Sequence, residues 1–121
     1  MDWSKIKYFK ADEFSCRCGC GLNNINAQLV GALDMARKDA GVPFTVSSGC
    51  RCKEHNRHVG GVSDSAHVHG FAVDIQVRNS ADRLRILKAL TRYFDRIGLD
   101  RNFIHVDIDP SKPGPALWLY K

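Results

Sequence analysis

Three stretches of the chain bring together side chains that can bind a metal or move a proton. The first is Ser65-Ala66-His67-Val68-His69-Gly70-Phe71-Ala72-Val73-Asp74. The second is Phe103-Ile104-His105-Val106-Asp107-Ile108, and the third is Ser48-Gly49-Cys50-Arg51. Asp74 stands between Val73 and Ile75. A carboxylate buried among such neighbours is costly unless it is paired, hydrogen-bonded or metal-bound. His105 and Asp107 lie two apart in an apolar run, so as strand residues they share one face. One face would then gather His67, Asp74 and His105, with Asp107 beside them. Two imidazoles and one carboxylate leave a fourth tetrahedral position open, the pattern of a catalytic zinc ion. Such an ion lowers the pKa of its bound water to about 7 and polarises a carbonyl. Taken singly, His55, His58 and His69 read as loop or surface histidines, and Asp107 as a salt-bridge partner of an arginine. The conjunction carries the metal reading.

The elements around these residues can be outlined from periodicity. Asn26 is placed to cap a helix over 27–40, with Leu29, Val30, Leu33 and Ala36 as its buried stripe. Gly41 and Pro43 stop it. Residues 44–46 read as a short strand. Residues 49–70 read as a long loop, and long loops in compact domains are usually functional or disordered. In a strand over 71–77, Phe71, Val73 and Ile75 face one way and Ala72, Asp74 and Gln76 the other. Ser80 is read as the N-cap of a helix to about residue 97, buried through Leu84, Leu87, Leu90 and Phe94, with Gly98 ending it. Residues 103–108 form a third strand and 117–120 a fourth. The expected fold is a small α+β domain over residues 1–121, with an antiparallel or mixed sheet and flanking helices.

At this point the chain resembles a known family. SSGCRCKEHNRHVGGVSDSAHVHGFAVDI and NFIHVDI look like the motifs of the zinc D-Ala-D-Ala carboxypeptidases and L-alanyl-D-glutamate endopeptidases of peptidoglycan. The family pattern is S-G-x-R…H-N…G-G…S-x-H-x-x-G-x-A-x-D followed by a late histidine strand. EFSCRCGCG resembles the opening of short members carried by phages and prophages. The resemblance implies the zinc fold shared with hedgehog signalling domains. It implies His67, Asp74 and His105 as zinc ligands and Arg51 as the residue that holds substrate near the scissile bond. A guanidinium can bind a carboxylate or steady a developing oxyanion. Ser65 is implied to support the site, and Gly70 and Ala72 to let strand and loop approach closely. The chain departs from the pattern at Asn102, where many members carry the general base. Asp107 is the substitute, with Asp100 behind it; Asp107 is equally suited to orienting a ligand. Cys50 also replaces the family's usual aromatic residue.

The resemblance implies a zinc peptidase acting, as a monomer, on peptidoglycan stem peptides. The alternative is a non-catalytic zinc-containing, wall-binding module of the same fold, which Asn102 favours. With 18 Lys and Arg against 13 Asp and Glu, the chain carries a net charge of +5, suited to an anionic cell wall. Nucleic-acid binding is not expected, because the arginines between 78 and 101 are spread around a helix and no DNA-binding motif accompanies them. No apolar run approaches the ~20 residues of a membrane span. The opening MDWSKIKYFKADEF has no apolar h-region, so the expectation is cytoplasmic synthesis without a Sec signal peptide. Work on the wall would then require release through a holin-type pore; otherwise the protein acts in the cytoplasm. Five cysteines, Cys16, Cys18, Cys20, Cys50 and Cys52, sit in two tight groups. A structural metal, disulfides formed after release, and unlinked thiols are all open to them.

Overall fold

The computed structural model describes residues 1–120. Two short 3₁₀ turns, Trp3–Lys5 and Ala11–Phe14, lead into α1 (Ala27–Ala40). The Asn26 side chain caps α1 by accepting from the amides of Gln28 at 2.8 Å and Leu29 at 3.2 Å. Leu29, Val30, Leu33 and Ala36 of α1 are fully buried, as their spacing requires. After α1 come β1 (Val46–Ser48), α2 (Lys53–His58), β2 (Ala72–Gln76) and α3 (Ser80–Leu90). β3 (Arg96–Leu99), β4 (Phe103–Asp107) and β5 (Ala116–Leu119) complete the chain.

The strands form one five-stranded mixed sheet in the order β1-β2-β4-β3-β5. The β1/β2, β2/β4 and β3/β4 pairs are antiparallel and β3/β5 is parallel. The α+β class is as read from the sequence. Alternate strand residues divide between two environments. Val73, Ile75, Ile97, Ile104 and Val106 join Phe14, Leu29, Leu33, Ile86 and Leu90 in one apolar core. The intervening residues form polar rows. Through the register, Ser48, Asp74, His105, Gly98 and Trp118 follow one another across all five strands. Thus the alternation that buries the core also puts Asp74 beside His105.

Several expected boundaries are corrected. The first strand begins at Val46 rather than at residue 44, although Phe44 is still buried. The cap of α3 is Asn79, not Ser80: the Asn79 side chain accepts from the Asp82 amide at 2.8 Å. α3 ends at Leu90, and part of the stretch to 97 becomes β3. Its buried residues are Ile86, Ala89 and Leu90, whereas Leu84 points to solvent at 58 % exposure. The supposed loop over 49–70 contains α2. The last strand lies one residue earlier than expected.

Gly98 shows how tightly the polar row is built. A Cβ there would lie 2.5 Å from Trp118 Nε1 and 2.7 Å from Tyr120 Cε2. Glycine therefore makes room for the Trp118 ring, which lies 5.5 Å from the His105 ring between centroids. Gly98→Ala is expected to cost about 1–3 kcal/mol through overpacking, read as a lower urea midpoint at unchanged slope.

Candidate metal centre and cleft

Two strands and one loop supply the centre. β2 and β4 pair Asp74 directly with His105 and Ala72 with Asp107. His67 comes from the turn before β2. There the Ser65 hydroxyl accepts from the His67 amide at 3.2 Å, and the His67 carbonyl accepts from the Arg51 amide at 3.2 Å. Gly70 closes this turn at φ +76°, where a Cβ would fall 2.0 Å from the Asn24 carbonyl oxygen. Only glycine lets the turn press so closely on the segment leading to α1.

Asp74 Oδ1 is the focus of the centre. His67 Nε2 lies 3.2 Å from it and His105 Nδ1 2.9 Å from it. His67, Asp74 and His105 are all buried, with one ligand atom of each lying within 4.8 Å of the others. The far side of each ring fixes its proton. His67 Nδ1 lies 2.7 Å from the Gly49 carbonyl, which can only accept, so Nδ1 carries hydrogen. His105 Nε2 lies 2.7 Å from Asp107 Oδ2 and donates to that carboxylate. In the neutral rings His67 Nε2 and His105 Nδ1 are then lone pairs, and both point at a third acceptor, the Asp74 carboxylate. Three acceptors converging on one point is an arrangement a cation resolves. Two imidazoles and a carboxylate suit zinc.

A proton between ring and carboxylate is the other way to resolve that convergence, and it describes the metal-free state. There, burial alone would raise the Asp74 carboxyl, but hydrogen bonds from His105 and His67 and their charges hold it below the ordinary carboxylate range. Burial opposes a charge on His105, yet its hydrogen bonds to Asp107 and Asp74 raise its pKa. Asp107 is kept low, against burial, by His105 and Arg96. Arg96 Nε donates to Asp107 Oδ1 at 2.7 Å, and the Asp109 amide donates to the same oxygen at 3.2 Å. Arg96 also donates to the Pro113 carbonyl, and its guanidinium lies over the Trp118 ring at 4.9 Å.

The centre opens into a cleft of about 470 Å³. Arg51 stands on one side. Its Nε donates to Ser48 Oγ at 3.1 Å, its Nη1 to Asn56 Oδ1 at 3.2 Å, and its Nη2 lies 3.5 Å from Asp74 Oδ2. Asn56 is buried in α2 and donates to the Val62 carbonyl at 2.8 Å. A Cβ on Gly61 would fall 2.0 Å from Asn56 Oδ1, so that glycine leaves space for the Asn56–Arg51 contact. Phe103, Trp118 and Tyr120 line the cleft together with Lys112 and Arg96.

The structure brings His67, Asp74, His105, Asp107, Arg51 and Ser65 to this one cleft. Among the described residues that line it, the only carboxylates are Asp74 and Asp107. Asp100 sits in the β3–β4 turn, accepting from the Asn102 amide at 2.9 Å, and neither residue lines the cleft. His58 and His69 are exposed. Cys50 is buried beside Asn23 Oδ1 at 3.6 Å. Sequence reasoning missed Arg96, Asn56, Trp118 and Tyr120. Asn56 and Gly61 stand inside the quoted motif without a role assigned to them, and Arg96 lies within the 78–101 stretch read as arginines spread around a helix, whereas it begins β3.

With this geometry in view, the sequence pattern of peptidase M15 matches residues 7–107 of the chain. The chain belongs to the peptidase M15 family. Enzymes of this family are zinc-dependent peptidases, and the donor set above fits that ion. The match ends at Asp107, so β5 with Trp118 lies beyond it. No curated protein gives a match to the chain. Among the described residues no helix is long and apolar enough to cross a membrane.

Proposed function

We propose that this M15 peptidase cuts the peptide stem of bacterial peptidoglycan, as a single zinc peptidase domain, with His67, Asp74 and His105 holding the ion. The observation that carries the reading is the convergence of two imidazole lone pairs on Asp74 Oδ1 at the floor of an open cleft. Bound there, zinc supplies Lewis-acid polarisation of a carbonyl and an acidified water. The chain's own residues do the rest. Arg51 has donors left over after its three protein contacts, and it offers them to a substrate carboxylate or to the oxygen on which charge develops. Stem peptides carry several carboxylates, and the cleft presents Arg51, Arg96 and Lys112 to them. Phe103, Trp118 and Tyr120 give the peptide an apolar wall.

Asp107 fits the orienting role better than that of proton acceptor. Both its oxygens already accept, from His105, Arg96 and the Asp109 amide, and its pKa is held low. It fixes the His105 tautomer, so that Nδ1 keeps the lone pair with which it would hold a metal beside Asp74. Asp107→Asn is expected to keep its metal and to lose about 10–100-fold in turnover, with the acid limb of the pH–rate profile retained. A general base would show itself by loss of that limb at full metal occupancy.

The direct test is zinc-dependent release of new amino groups from purified peptidoglycan. Release abolished by chelation and restored by zinc supports the peptidase. Asn102 leaves the usual acidic position without a carboxylate, which favours the alternative of a wall-binding module. Zinc bound with no cleavage of any wall substrate, while the protein still sediments with peptidoglycan, would establish that module instead.

A further inference from the structure

A second cluster lies outside the cleft. Cys16, Cys18, Cys20 and Cys52 bring their sulfurs within 4.8 Å of one another. Cys16 Sγ and Cys18 Sγ are 3.4 Å apart, and Cys18 Sγ and Cys52 Sγ 3.6 Å apart. All five cysteines are free thiols. In a tetrahedral zinc–thiolate cage with Zn–S of about 2.3 Å, neighbouring sulfurs lie about 3.8 Å apart. The observed spacings are close to that edge.

The surrounding backbone is organised for thiolates. The Cys52 amide donates to Cys16 Sγ at 3.4 Å and the His55 amide to Cys52 Sγ at 3.3 Å. Backbone N–H groups aimed at sulfur stabilise the anion a metal requires. Gly19 and Gly21 have φ of +85° and +86°, yet a Cβ on either would touch nothing. Their need is conformational: left-handed Gly19 bends the C-x-C-x-C run between Cys18 and Cys20, and left-handed Gly21, just after the run, turns the chain back so that the Cys16 amide donates to the Leu22 carbonyl at 2.9 Å. The odd cysteine is accounted for, because Cys50 sits apart against Asn23.

We propose that Cys16, Cys18, Cys20 and Cys52 form a structural metal site for a thiophilic divalent ion, zinc foremost, separate from the centre in the cleft. Four sulfurs and no open position make it a closed site. The ion would tie the N-terminal segment to the start of α2. Cys52 caps that helix, follows Arg51 directly, and precedes the Asn56 that holds Arg51 in place. The site would thus fix the root of the segment that carries Arg51. It stands whether or not the protein cuts peptidoglycan.

Metal analysis of anaerobically purified protein tests it. Wild type is expected to hold two ions per chain, His67→Ala one, and Cys18→Ser/Cys20→Ser one. Cobalt loaded into His67→Ala should show thiolate-to-cobalt charge transfer. In wild type, an organomercurial should release one ion as four thiols react, which needs no variant to fold. Iron in place of zinc, shown by its colour, would keep the cage. One ion per chain, absent from His67→Ala, would overturn the proposal. So would a mass lower by four hydrogens, indicating two disulfides, or cobalt without charge transfer.

Discussion

Replacing His67 by alanine is expected to remove one zinc ion per chain and to lower peptidase turnover by on the order of 10³-fold or more. The ligand set has only three protein members, and His67 supplies the one that comes from a loop rather than a strand. Asp74 and His105 alone would leave the ion two ligands held by strand pairing, too few for a tetrahedral site with an open position. Folding should survive, because the sheet and the apolar core do not depend on His67. The discriminating measurement is linkage. Zinc in excess over its Kd stabilises a folded site by about 2.7 kcal/mol at 100-fold excess. In a chelated and then titrated sample, wild type should regain stability on zinc addition in two contributions, and His67→Ala in one. Unchanged metal content in His67→Ala would remove this centre from the mechanism.

The centre was legible because strand alternation is a strict period. Once Val73 and Ile75 are read as buried, Asp74 must face the other way, and the same holds for His105 between Ile104 and Val106. What alternation could not give was which strands are neighbours. The direct Asp74–His105 pairing is a fact of topology, set by β4 inserting between β2 and β3. The helix boundary failed for a physical reason. Leu87, Leu90, Phe94 and Ile97 continue a helical spacing past the true end of α3, so the periodicity runs through the turn into β3 unchanged. That error hid Arg96, whose place on a strand beside β4 brings it to Asp107. α2 was illegible because KEHNRH has no apolar stripe. Its order comes from the Cys52 cap and the buried Asn56, both of which are tertiary signals.

Arg51→Ala is expected to lower kcat by about 10²–10³-fold while both metal contents stay as in wild type. The magnitude is that of removing one preorganised donor from an oxyanion site. The structure gives the reason to expect it at this position. Three fixed acceptors, Ser48 Oγ, Asn56 Oδ1 and Asp74 Oδ2, hold the guanidinium plane before any substrate arrives. A donor held in place by protein contacts needs little reorganisation as charge develops, which is how such groups favour the transition state over bound substrate. Arg51→Lys separates this from simple charge attraction. Lysine keeps the charge but lacks the fork, so it cannot satisfy Ser48 and Asn56 and still reach into the cleft. It should recover substrate affinity more than kcat. A lysine variant indistinguishable from wild type would reduce Arg51 to a steering charge, with activity then falling steeply as salt rises. Loss of zinc in Arg51→Ala would instead make it a support for Asp74, because the 3.5 Å contact between them would then be what holds that ligand in place.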